Sequence, residues 1–261
     1  MDITSFGLAK IELFLLVFCR TAGIFTLVPI FGTNQTPAHV RVGVAMCLAL
    51  VFVPLCAPVG TGLPATDLLP MLLLLAREAL VGLVIGFATT LIFEAIQVGG
   101  HLVDMHSGFS IATLFDPVFG SSGAVSSHLN RLLAGLLFFV TNAHHIMLSG
   151  LADSFRILPV GEMGLNPAVA GGVVELIGPF FAIAIRIAAP AVAAVLLADV
   201  ALAIIARGVP QINVFMVGLP LKLGVGLIGM LIALPVVVAI SRDAFGDIGR
   251  QTAWLLKLLA S

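Results

Sequence analysis

The chain has 261 residues, 60% of them hydrophobic and only 10% charged, with a formal net charge of −1. Soluble domains carry about a quarter charged residues, so this composition cannot clothe a water-soluble surface and places the chain among integral membrane proteins. The balanced charge, with no basic tail or acidic run, argues against a nucleic-acid partner.

Residues 11–30 form the first apolar stretch, interrupted by Arg20 and closed near Pro29. No basic region precedes it, so it reads as a first helix rather than a cleavable leader. The second runs over residues 40–59 and ends in Pro54 and Pro58, before a Gly/Pro/Thr-rich linker at 60–70. The third, residues 68–98, is longer than a bilayer needs and reads either as one tilted helix or as two broken pieces. Residues 94–120 then combine Gly99, Gly100 and Gly108 with His101, Asp104, His106 and Ser107, and with Phe109, Ile111, Leu114, Phe115, Val118 and Phe119. This stretch is too apolar for a loop in water and too broken for a span, so it needs a protein-lined cavity. A Ser/Gly-rich link at 120–130 precedes a fourth apolar stretch at 132–151 and a polar segment at 153–172. The fifth, at 173–206, is Ala-rich and contains Pro179 and Pro190; the sixth covers 212–240; a mixed-charge amphipathic tail occupies 242–261.

Six such stretches without period-two alternation predict an all-α membrane protein, because backbone groups in an apolar medium must be satisfied inside helices or a closed barrel. Arg and Lys are spread thinly over all the loops and give no orientation. Tyr is absent and Trp254 is alone, so there is no aromatic belt, a sign that much of the surface faces protein. Arg20, Arg77, Glu78, Glu94, Arg186, Asp199 and Lys222 lie inside apolar runs. Each costs roughly 2.5–3.5 kcal/mol on insertion scales, so they must face partners, water or one another; pairs holding helices in register are the plainest reading.

Gly82 and Gly86 form a G-x-x-x-G patch for close helix packing, within the chain or between subunits. Gly224, Gly226 and Gly229 match a dinucleotide fingerprint only formally: no strand precedes them, and helix packing explains them better. Adjacent His144 and His145 point about 100° apart on a helix and cannot readily share an ion. Cys19, Cys47 and Cys56 lack metal or disulfide spacing, and no nucleophile–base motif is present, so no metal, cofactor or catalytic residue is expected. Gly208 and Pro210 predict a helix–helix turn whose tip concentrates Arg207, Gln211 and Asn213, a polar set suited to a ring of similar hairpins.

Four blocks resemble the FliR family of flagellar export-gate proteins, whose injectisome relatives are the SctT proteins. They are Arg20-Thr-Ala-Gly23 with Pro29-Ile-Phe31; Arg77-Glu78 with Gly82 and Gly86-Phe87; Glu94-Ala-Ile-Gln97 through Gly100, Asp104 and Gly108-Phe109-Ser110 to Asp116-Pro117; and Pro210-Gln211-Ile-Asn213-Val-Phe215 with Gly218, Pro220 and Lys222. The resemblance implies a helical gate built with FliP and FliQ in the inner membrane and flagellar basal-body rings, with FlhA and FlhB as further partners and unfolded flagellar substrates as cargo. It implies a FliP-like part at 1–172, a FliQ-like hairpin at 173–240, and the tail at 241–261. A loop at about 106–122, with Gly108, Phe109, Ile111, Leu114, Phe115, Val118 and Phe119, is implied to plug the pore. Arg20, Arg77, Glu78, Glu94, Asp104, Arg186, Asp199 and Lys222 are the expected buried charges or subunit contacts. The alternative function is a proton- or ion-coupled secondary transporter using Glu94, Asp199 and Lys222.

Overall fold

The computed structural model describes residues 3–32, 36–56, 68–109, 125–162, 168–209, 211 and 213–260. Among these residues the regular elements are all helices: α1 (Ile3–Leu27), α2 (Pro29–Gly32), α3 (Ala38–Phe52), α4 (Leu68–Ser107), α5 (Val125–Val140), α6 (Ala143–Ile157), α7 (Ala168–Glu175), α8 (Ile177–Gly208), α9 (Val214–Gly246) and α10 (Ile248–Ala260). A 3₁₀ turn, Val53–Leu55, follows α3; Pro54, which has no N–H to donate, stands where the α-helical ladder gives way.

This is an all-α membrane protein. Four helical spans among the described residues are long and apolar enough to cross a membrane: Ala38–Leu55, Leu68–Ser107, Val169–Gly208 and Met216–Ala260. The bent pair α5–α6 makes a fifth if counted as one span. The helix α1, which holds most of the first apolar stretch, is not among these spans; it carries Lys10, Glu12 and Arg20. The third stretch is a single helix of 40 residues, about 60 Å long and so roughly twice the hydrocarbon thickness. The fourth stretch is two helices bent by 67°. Asn142, at the break, adopts a left-handed φ of 56°, a conformation Asn tolerates better than most residues.

The chain divides into two compact units. One comprises Met1–Leu91, Asn142–Leu176 and Gly246–Ser261. In it α1 packs on α3, and α10 packs on α6 and α7. The buried side of α10 is Ile248, Thr252, Leu255, Leu256 and Leu259, a spacing that gathers on one helical face. Leu255 joins Ala88 and Leu176 in a core against which Val84, Leu91 and Trp254 pack.

The other unit comprises Ile92–Thr141 and Ile177–Phe245. Its core includes an aromatic trio, Phe93, Phe138 and Phe245, with ring centroids 5.1–5.6 Å apart, inside the range of favourable tilted and edge-on contacts. Beside it, Val103 of α4 packs on Ala188 and Ala191 of α8. The helix α4 contributes to both units, passing from one to the other between Leu91 and Ile92.

Candidate functional site

Two buried polar centres and a hairpin carry most of the residues expected from the sequence. The first centre lies in the unit formed by α1, the first part of α4, and α6. Here the G-x-x-x-G seam acts within the chain: a Cβ on Gly82 would overlap the Arg20 carbonyl oxygen, and one on Gly86 would stand 3.0 Å from the Ile24 carbonyl oxygen. The seam brings Arg20 against Glu78, both wholly buried. Arg20 Nε donates to Glu78 Oε2 at 2.6 Å. Its Nη1 donates to the Ser154 carbonyl at 3.1 Å and the Leu158 carbonyl at 2.9 Å. The Gly161 N–H donates to Glu78 Oε1 at 2.8 Å, from a turn in which Gly161 has φ +88°. The guanidinium carbon sits 4.5 Å from the centroid of the Phe155 ring.

The physical logic is a cap made in trans. The Ser154 carbonyl also accepts the closing helical bond from Leu158 N at 2.9 Å, and Leu158 stands just past the end of α6, which the helix dipole makes negative. Arg20 supplies donors and positive charge there, while Glu78 compensates Arg20 and fixes the following turn. A buried pair of this kind contributes less to net stability than to holding one arrangement, but removing either partner strands a charge.

The second centre lies in the other unit, where the described part of the 94–120 stretch meets the start of α5. Asp104 is wholly buried on α4. Its Oδ1 accepts from Ser126 N at 2.8 Å and its Oδ2 from Ser127 N at 3.0 Å. A carboxylate thus takes two orphan donors at the positive end of α5. Gly100 permits the approach: a Cβ there would stand 2.6 Å from Ser127 Cα. Asn130 Nδ2 donates to the Ile96 carbonyl at 3.2 Å, one turn further along. The link predicted at 120–130 is helical from Val125 onward for this reason. The helix α4 stops at Ser107, and Gly108 follows with φ +81°. Phe109 is buried. Ser107 and Phe109 both lie against α9 at Gly226, where a Cβ would meet Ser107 Oγ. Two of the three glycines in the formal dinucleotide match are thus packing positions: Gly226 takes Ser107, and a Cβ on Gly229 would stand 3.0 Å from Ala191 Cα, whereas one on Gly224 would meet nothing within 4 Å. Ile111, Leu114, Phe115, Val118 and Phe119 lie outside the described residues.

The hairpin α8–α9 carries the remaining set. Lys222 Nζ and Asp199 Oδ1 pair at 2.6 Å, with side chains 32% and 36% exposed, so two of the three residues suggested for a coupling-ion site are engaged with each other. At the tip, Arg207, Gln211 and Asn213 are exposed. Asn213 Oδ1 accepts from Met216 N at 3.4 Å, and its carbonyl accepts from Met216 and Val217, so one of the two predicted amides caps α9. Arg77 and Glu94 are half-buried and Arg186 is exposed; none of these three makes an ion pair among the described residues. No group of three or more His, Cys, Asp or Glu that could hold a metal ion occurs among the described residues.

Ser154, Gly161, Ser126, Ser127 and Asn130 were not singled out in the sequence. The Ser126-Ser127 pair just ahead of an apolar run is a legible helix-start signal. Ser154 meets Arg20 through both its carbonyl and its Oγ, and Gly161 meets Glu78 through its N–H, across sequence distances that no local pattern reveals.

A family model described as bacterial export proteins, family 1, matches residues 11–248. The chain belongs to this family. The Flagellar biosynthetic protein FliR of Bacillus subtilis (strain 168) is 36% identical over 236 residues, covering 89% of this chain and 90% of the relative. The protein of the same name from Escherichia coli (strain K12) is 28% identical over 246 residues, covering 92% and 91%. The Yop proteins translocation protein T of Yersinia pestis is 30% identical over 212 residues, covering 79% and 80%. This family member is accordingly a bacterial export protein with helices long and apolar enough to cross a membrane.

Proposed function

We propose that the chain is a structural and gating subunit of the flagellar type III export gate. In this reading it forms with FliP and FliQ, in the inner membrane at the flagellar basal body, the channel that unfolded flagellar substrates cross. Residues 1–172 are its FliP-like part, 173–240 its FliQ-like hairpin and 241–261 its tail; FlhA and FlhB are neighbours. The observation that carries the reading is the family match, which runs through nearly every described helix. The flagellar rather than injectisome assignment draws support from the higher identity to the Bacillus relative and from Gly218-Leu-Pro220 after the hairpin tip.

Residues 106–122 serve as the pore plug in this proposal. Support comes from the anchoring at both ends: Phe109 is seated beside Gly226, and Asp104 binds the start of α5. A stretch pinned at both ends returns to one place after a displacement. Its apolar residues can exclude water and ions from a constriction. Two measurements test the proposal. Purification in mild detergent should retain FliP and FliQ with the chain, whereas a lone monomer or dimer overturns the gate reading. Replacing residues 110–122 by a short Gly/Ser linker should raise ion leak across membranes containing the assembled gate; unchanged leak with the gate assembled removes the plug role.

A further inference from the structure

We infer that the face of α8 centred on Arg186 is the seat of an apolar helix from a partner subunit that presents a carboxylate at the level of the guanidinium; the inference rests on the hetero-oligomeric reading above. Arg186 lies within the apolar span Val169–Gly208. It is exposed and makes no ion pair or hydrogen bond among the described residues. The other acidic groups described in its unit are committed or apart: Asp104 caps α5, Asp199 holds Lys222, and Glu94 and Asp243 make no pair with it. An unpaired cation on an apolar surface is costly in hydrocarbon and acts as an attractive, directional site for a fork-matching anion.

The surroundings select the kind of anion. On the arginine's side of the helix Ala182, Ala189 and Ala193, with Gly178 at its edge, are exposed, while Ile183 and Pro190 on the same side are half-buried. A Cβ on Gly178 would meet nothing within 4 Å. Small residues on both sides of a long one let a second helix backbone approach closely enough to meet the guanidinium. The lipid alternative places Arg186 at a headgroup, and its separation of 21 positions from Arg207 matches a hydrocarbon core of about 30 Å. Exposed apolar side chains, however, continue at levels beyond Arg186 on the other sides of the helix, at Ile185, Phe181 and Ile177, with 58%, 52% and 44% exposure. A charge at a headgroup should stand at the level where such side chains end, whereas here they continue past it. A carboxylate carried on an apolar helix satisfies both the charge and the surface around it.

The test uses the full chain co-expressed with the other export-gate membrane subunits. Arg186→Glu should reduce recovery of the assembled complex roughly tenfold or more, as expected for like charges facing each other in a desolvated contact, while Arg186→Lys retains most of it. A basic substitution of one acidic residue in a partner helix should restore assembly of the Arg186→Glu chain. A photo-crosslinking residue at Ala189 should capture that same partner helix. Assembly of Arg186→Glu at the wild-type level, or capture of lipid alone from Ala189, overturns the inference and leaves the export-gate reading standing. Failure of the wild-type chain to assemble with any partner overturns the export-gate reading itself.

Discussion

At the scale of single residues, the two wholly buried carboxylates do different work, and their variants separate it. Glu78→Gln keeps the shape of the side chain but leaves the Arg20 guanidinium without its counter-charge. It should destabilise the folded protein by about 3–5 kcal/mol, read as loss of detergent-solubilised protein on a thermal ramp. The double variant Arg20→Met with Glu78→Leu should recover part of that loss, because no charge is then stranded; a double variant worse than either single one would refute the charge argument. Asp104→Asn retains one acceptor for the two N–H groups of α5 and loses the full negative charge. A cost of about 1–2 kcal/mol is expected, with faster amide exchange at Ser126 and Ser127 than at Asn130. The costliness of these groups was legible in the sequence, since an ionisable side chain in an apolar run demands a partner. Their partners were not. Arg20 and Glu78 are separated by 58 positions, and the carbonyls that Arg20 holds are 134 and 138 positions away.

At the scale of elements, the glycine seams and the hairpin invite contrasting substitutions. Gly82→Leu would drive a side chain into the α1 backbone and should abolish accumulation of the protein. Gly135→Leu, on α5 where a Cβ meets nothing within 4 Å, should leave accumulation unchanged. Reversing the hairpin pair tests its role in register: Asp199→Lys or Lys222→Asp alone should lower thermal stability by about 1 kcal/mol, and the exchanged pair should restore both stability and export. A coupling-ion role predicts the opposite outcome, with stability restored and function still lost. Helix existence followed from the length and apolarity of the runs, and even the breaks at Gly108 and Gly208 had their turn residues in view. The bend at Asn142 was hidden because no Gly or Pro marks it, and apolar residues resume on both sides, from Leu132 to Val140 and from Ile146 to Leu148. The unbroken course of α4 was equally ambiguous, since neither Gly99 nor Gly100 interrupts it; both face neighbouring helices, where a missing side chain is a packing asset.

At the scale of the whole molecule, the hairpin tip ties structure to export. Gln211 is exposed and, unlike Asn213, caps no helix among the described residues. Gln211→Leu should therefore leave membrane insertion intact while lowering the export rate of flagellar substrates; normal export would make the tip a simple turn. Fold class and family were both readable before any coordinates, because composition excludes a soluble surface and four spaced blocks point to one family. The division into units was not readable, since one of them is assembled from three separated segments. Trp254 has a practical consequence. The chain has no Tyr and one Trp, and that indole packs beside Ala88, Leu176 and Leu255 in the core closed by α10. Long-wavelength ultraviolet emission from the unlabelled protein therefore comes from one position, and a red shift records the C-terminal helix leaving its seat.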